Sequence, residues 1–144
     1  MKYIIPQQTI LLFILFVGCK GVDITEEDIH PIVGEWIGIE REQKFINSDG
    51  ETLSTDISSY NKTWNFYQDN TFLGGDITSY SGVSFSVKWS INENELILTI
   101  VVGEENMTLL YDYSISNNIL SLIRIIHYDN GDSLIINLIF NKSN

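Results

Sequence analysis

The sequence predicts an all-β protein, an eight-stranded up-and-down antiparallel barrel. Three observations carry that reading. First, apolar residues alternate with polar ones. Val83, Phe85, Val87, Trp89 and Ile91 alternate with Ser84, Ser86, Lys88 and Ser90. Met107, Leu109, Tyr111, Tyr113 and Ile115 repeat the pattern, as do Leu134, Ile136, Leu138 and Phe140, and Trp64 and Phe66 form a shorter copy. A period of two with one apolar face marks a half-buried antiparallel strand. Second, turn-forming residues separate these runs at 68–70, 92–94, 103–106, 116–118 and 129–132. Third, no segment of useful length after Val33 has a helical period. Sequential hairpins without a crossover make a meander. Eight twisted strands in a meander close most readily into a barrel, which removes the exposed edges. A two-sheet sandwich is the alternative architecture.

Taken in order, the strands are expected at about 34–46, 61–68, 71–78, 83–92, 96–102, 107–116, 119–128 and 133–141. All connections are short except the first. Asn47–Tyr60 reads as a polar loop. The Asn130-Gly131 pair is the strongest hairpin signal, because both residue types tolerate positive φ. Ahead of the strands, Thr25-Glu26-Glu27-Asp28 has a capping pattern, which predicts a short helical turn over about Thr25–Ile32.

The N-terminus has a different composition. Lys2 supplies a basic start, and Ile10–Val17 is an unbroken apolar run that follows the interruption Pro6–Thr9. A membrane-spanning helix needs about 20 mostly apolar residues. This run is too short to span and fits the apolar core of a signal peptide over residues 1–18. Its end, Phe16-Val17-Gly18-Cys19, resembles the lipobox of bacterial lipoproteins, with Phe16 where Leu is usual. The resemblance implies that the Cys19 thiol receives a diacylglycerol, that the chain is cut between Gly18 and Cys19, and that the new amino group is acylated. It places the protein outside the cytoplasm, lipid-anchored to the cell envelope, at the outer membrane of a Gram-negative bacterium. Residues 19–29 then form an acidic tether, and residues 30–144 form the folded domain. Cys19 is the single cysteine, so the chain has neither an internal disulfide nor a cysteine-based zinc site.

The chain carries 8 basic and 19 acidic side chains, a formal charge of −11. Removing residues 1–18 takes away Lys2 alone and leaves −12. Such a surface repels phosphate, so nucleic acid is excluded as a partner. An anionic membrane is expected to be held through the lipid on Cys19 and not by the protein surface.

Signs of catalysis are weak. The two histidines, His30 and His127, lie far apart in sequence, and a zinc site needs three or four converging ligands. No Gly-x-Ser-x-Gly elbow occurs. The neighbouring carboxylates Glu93 with Glu95 and Glu104 with Glu105 fall in turns, where acids are ordinarily solvated. Asp129-Asn130-Gly131-Asp132 is too short for a calcium loop of the EF type and reads as a hairpin. The expectation is a non-enzymatic protein with no metal and no cofactor. A hydrolase acting on an envelope glycan is a minor alternative.

Seventeen aromatic residues fall in this chain. Trp64, Phe66, Phe85, Trp89, Tyr111 and Tyr113 take inward registers and are the candidates to line a ligand. A small eight-stranded barrel is either filled by side chains or holds one small ligand, and the pattern alone leaves both open.

Gly34-Glu35-Trp36 opens the first strand and resembles the Gly-x-Trp signature of lipocalins. Phe66-Tyr67-Gln68-Asp69-Asn70-Thr71-Phe72 adds an F-x-x-D-x-T-F hairpin. With the lipobox and acidic tether, the layout resembles the small lipocalin-like lipoproteins of Bacteroidetes-type bacteria. The resemblance implies that Trp36 plugs the closed end of the barrel beneath the N-terminal turn. It implies a basic residue packed over that tryptophan, for which Lys142 and Arg124 are candidates. It also implies that Asn47–Tyr60 lies over the open mouth, with Leu53, Ile57 and Tyr60 turned inward. The function it implies is binding of a small apolar molecule. An envelope protein-interaction module with a filled barrel is the alternative.

Overall fold

A computed structural model describes residues 29–78 and 85–144. The segment expected to be a signal peptide, Cys19 and nearly all of the expected tether lie outside the described residues. So does most of the helical turn expected over Thr25–Ile32. What is described of it, His30–Val33, is a tight turn closed by the Val33 N–H on the His30 carbonyl at 2.9 Å.

The described chain forms nine strands: β1 (Gly34–Ile46), β2 (Thr52–Ser59), β3 (Thr63–Phe66), β4 (Phe72–Gly74), β5 (Phe85–Asn92), β6 (Glu95–Val102), β7 (Glu105–Ser116), β8 (Ile119–His127) and β9 (Ser133–Lys142). Every pairing is antiparallel, and β1 pairs with β9, which joins the first strand to the last. One continuous sheet therefore curls into a nearly closed barrel, and the sandwich alternative falls away. On the far side, among the described residues, β4 and β5 share no ladder; the β3–β4 hairpin reaches β5 through a bridge between Thr71 and Lys88, a bond from the Trp89 N–H to the Asn70 carbonyl at 2.9 Å and one from Trp89 Nε1 to the Tyr67 carbonyl at 2.9 Å.

The ninth strand corrects the expected loop over Asn47–Tyr60. Only 47–51 form a turn, tightened by the Asn47 Oδ1, which accepts from the Glu51 N–H at 2.8 Å. Thr52–Ser59 then pairs along the far half of β1, while β3 pairs along its near half. So β2 and β3 occupy one position, and the barrel has eight. The alternation failed to mark β2 because all of it but Ser58 is exposed, Leu53 and Ile57 to 59% and 61%. Both point away from the interior, contrary to the inward orientation expected for them; Tyr60 alone turns in and is buried.

Gly38 allows the break between β2 and β3. Its N–H donates to the Lys62 carbonyl at 2.8 Å, and the Tyr60 N–H donates to the Ile39 carbonyl at 3.0 Å. A Cβ at residue 38 would stand 2.3 Å from the Tyr60 carbonyl oxygen and 2.5 Å from its ring. The register of β1 on β9 shifts between Gly38 and Glu40. This bulge bends the strand and reverses the parity of its side chains. Inward residues are Trp36 and Gly38 before it, then Arg41, Gln43 and Phe45.

The strand expected at 71–78 also stops early. Gly74 and Gly75 take φ of 142° and 67°, which ends β4 and starts a 3-10 turn over Gly75–Thr78. The F-x-x-D-x-T-F stretch is the β3–β4 hairpin. Asp69 Oδ1 accepts from both the Thr71 N–H at 3.0 Å and the Thr71 hydroxyl at 2.6 Å. These bonds hold the Asp69 carboxyl below the usual carboxylate range. At the strongest predicted hairpin signal, Gly131 takes positive φ and Asn130 does not; the two-residue turn with both residues positive is Asn117-Asn118.

Burial is graded along the barrel. On β6 the inward residues Leu96 and Leu98 are fully buried, Ile100 is 5% exposed, and Val102 is 37% exposed. Trp36, Leu120, Leu122 and Phe140 are fully buried at the same end as Leu96. One half of the barrel is therefore packed solid, and the other is lined by half-buried side chains.

Candidate functional site

The packed half is closed by the turn that precedes β1. Trp36 Nε1 donates to the Ile32 carbonyl at 2.7 Å, and both residues are fully buried. Lys142, at the end of β9, places Nζ 5.4 Å from the centre of the Trp36 ring and donates to the Pro31 carbonyl at 3.2 Å. Of the two basic residues considered for this position, Lys142 occupies it. Arg124 lies instead over the Tyr111 ring, with Cζ 6.0 Å from its centre.

The half-buried end contains a cavity of about 240 Å³. Apolar walls come from Trp64, Leu109, Ile136 and Leu138, joined by Ile77, and polar ones from Tyr60, Tyr111, Arg41, Gln43 and Arg124. A second hollow of about 330 Å³ shares Ile77, Leu109 and Arg124 with the first and extends it toward Phe85, Ile100, Val102 and Met107. Binding sites for small molecules are concave, mostly apolar, and marked by a few placed polar groups, with volumes of about 300–1,000 Å³. The joined hollows have that character.

The six aromatic candidates divide between the two halves. Trp64 and Tyr111 line the first hollow, and Phe85 lines the second. Trp64 is fixed by edge-on contacts with Phe72 and Tyr111 at 5.1 and 5.9 Å, and its Nε1 donates to the Tyr60 hydroxyl at 3.3 Å. Phe66, Trp89 and Tyr113 do not reach either hollow. Phe66 stacks edge-on to Trp89 at 5.9 Å, and Trp89 and Tyr113 flank the His30 ring at 6.0 and 6.2 Å. These three belong to the packed half, beside the N-terminal turn.

One polar group of the site, Arg41, was missed in the sequence, and so was Ser58 beside it. Arg41 and Ser58 are register partners on β1 and β2, and Arg41 Nε and Ser58 Oγ are both buried without a hydrogen-bond partner. Extending the parity of Trp36 past Gly38 sends Arg41 outward. Only the bulge turns it in, and a single sequence gives no warning of it beyond Gly38 itself.

His30 joins the turn to the barrel. Its Nδ1 accepts from the Ile32 N–H at 3.2 Å, and its Nε2 lies 3.4 Å from the Tyr113 hydroxyl. Burial holds its pKa below the ordinary histidine value.

A family model described as a lipocalin-like domain matches residues 32–122. Searches of curated proteins and of solved structures return no match. The matched span opens at the turn that covers Trp36 and runs into β8, so it takes in most of the barrel and most of the cavity wall. With more than half of the chain matched and the nearly closed antiparallel barrel it forms, the chain belongs to the lipocalin-like domain family.

Proposed function

We propose that this chain is a lipid-anchored lipoprotein of the bacterial cell envelope whose barrel binds a small apolar ligand without catalysing a reaction. The observation that carries the binding reading is the split interior. A barrel serving only as a scaffold gains by packing both halves, because each void forfeits contacts. Here one half is packed and the other is hollow and lined by aromatic and half-buried side chains. Trp36 and Gly34 serve as the plug of the closed end, and Trp64, Tyr111 and Phe85 serve as the aromatic wall. The anchoring reading rests on the lipobox-like Phe16–Cys19 and the acidic residues that follow it.

Two measurements test the two parts. The chain from residue 19 onward contains every strand described; with Cys19→Ser it is free of lipid. It should bind a dansyl-labelled fatty acid saturably, at about micromolar affinity or tighter. Absence of saturable binding, with the native circular dichroism retained, removes the binding reading. In cells, Cys19→Ala should abolish labelling by radioactive palmitate and leave the signal peptide uncut. Label retained by the variant removes the anchoring reading.

A second reading, an envelope interaction module, is favoured by the outer face of the sheet. Ile39, Ile123 and Ile125 are 44%, 37% and 47% exposed there. Ile125 sits beside Ile135 across β8 and β9, which extends the apolar strip.

A further inference from the structure

The chain has 19 acidic side chains and two arginines, Arg41 and Arg124, and both arginines line the same hollow. They stand on β1 and β8 with β9 between them. Arg124 is the register partner of Ile136, which is the partner of Gln43, and Arg41 is the partner of Leu138, one step deeper. Among the described residues, neither arginine side chain makes an ion pair or a hydrogen bond. The one acidic residue of β2, Asp56, stands opposite Gln43, is exposed, and pairs with neither arginine. Arg41 Nε and Ser58 Oγ are buried with no partner.

Burying donors without acceptors costs free energy, and a guanidinium has five N–H donors and no acceptor. Water in the hollow relieves part of that cost. A fixed anion relieves more, because hydrogen bonds between ionised partners are the stronger kind. The remaining wall is apolar and aromatic, so the ligand must also bring an apolar body.

We infer that the hollow takes an amphiphile with an anionic, oxygen-bearing head, held by Arg41 and Arg124 with Ser58 and Gln43 beside them, and with its apolar body against Trp64, Leu109 and Ile136. This rests on the ligand-binding reading above and names the class of ligand. The head is a carboxylate or a phosphate; both offer several acceptor oxygens to the two guanidinium groups. Placing both arginines inside an otherwise acidic molecule also gives the interior the opposite sign to the surface. A free anion without an apolar body would then be held off by the outside charge, whereas an amphiphile gains enough from burial to enter.

The test is a titration of tryptophan fluorescence in the chain from residue 19 carrying Cys19→Ser, with three probes below their micellar concentrations: laurate, monododecyl phosphate and 1-dodecanol. At least one anionic probe should bind about tenfold or more tighter than dodecanol, and which one does so identifies the head. Arg41→Met and Arg124→Met should each bring that preference down toward unity. Lys88→Met removes one positive charge from the exposed outside of β5 and should leave the preference in place. Equal binding of all three probes, or a preference that survives both arginine substitutions, overturns the anionic-head assignment and leaves the ligand-binding reading standing. Failure of all three probes to bind a folded protein overturns both.

Discussion

Lys142 and Trp36 sit at opposite ends of the described barrel sequence, yet they are register partners across β1 and β9, with the Lys142 ammonium over the Trp36 ring. The same ammonium donates to the Pro31 carbonyl, so one side chain ties together the first strand, the last strand and the turn beneath them. The contributions are unequal. Trp36 is a large aromatic with no exposed surface, and removing such a residue costs about 3–5 kcal/mol. A cation over an aromatic ring at an exposed site contributes about 0.5–1 kcal/mol. Trp36→Ala should therefore lower urea-unfolding stability by about 3–5 kcal/mol and Lys142→Met by about 1 kcal/mol or less. Equal losses from the two would show that the lysine contributes as much as the tryptophan to holding this end closed.

Gly38 has a sharper requirement than the glycine at the start of the strand. A Cβ at residue 34 meets only the flexible end of Lys142, at 3.2 Å, and glycine is required there for its φ of 130° and not for space. A Cβ at residue 38 meets backbone and the ring of buried Tyr60. Gly38→Ala must push Tyr60 out of the cavity wall or straighten the bulge, and the parity of Arg41 depends on that bulge. We expect a loss of about 2 kcal/mol or more, in the range of overpacked cores, together with weakened ligand binding. Native stability and binding in the variant would show that the β2–β3 break does not depend on this contact.

How far the sequence reveals the fold depends on where burial is one-sided. β5 to β9 were placed nearly to the residue because each has one face in the core and one in water. β2 was missed because all of it but Ser58 is exposed, so Thr52–Ser59 carries strand-forming residues but no alternation. The short β4 was overrun because the positive φ of Gly74 and Gly75 is not visible in an apolar pattern. At the site, Trp64, Tyr111 and Phe85 followed from parity alone. Arg41 could not, because a bulge shifts the register by one and sends every later side chain to the other face. Ser58 followed the fate of β2. Tyr113, Trp89 and Phe66 have the right parity for the interior but the wrong height. Period-two reasoning says which face a residue is on and not how deep along the barrel it lies.

His30 makes part of the stability pH-dependent. Its Nδ1 accepts a hydrogen bond from the Ile32 N–H, which requires that nitrogen to be unprotonated. Burial pushes its pKa below the ordinary 6.5 in the folded state. The unfolded chain therefore binds the proton more readily, and stability rises with pH through that range. The contribution is complete above the unfolded value and is lost as pH falls through the folded one. Urea midpoints taken at about pH 7.5 and about pH 5.5 should drop more steeply for the native chain than for His30→Gln. Parallel slopes would mean that the turn tolerates a charged imidazole. Asp69 acts in a separate window: its lowered pKa gives stability present above 3.8 and lost as pH falls further.

The graded interior can be tested without any ligand, by adding volume at two heights. Leu122 is fully buried in the packed half, between Leu138 on β9 and Tyr113 on β7. Leu109 lies on the inward face of β7 and borders both hollows. Enlarging a side chain in a close-packed region forces neighbours off their rotamers and costs about 1–3 kcal/mol. In a hollow, the same enlargement covers apolar surface and displaces nothing. Leu122→Phe should therefore destabilise by about 1–3 kcal/mol, while Leu109→Phe leaves stability unchanged or raises it. Leu109→Phe should also weaken binding of the dansyl-labelled fatty acid, because the added ring occupies the space the apolar body needs. Stability lost to the same extent at both positions would mean that the wall around Leu109 is packed in solution, and the cavity would then have to open before any ligand enters.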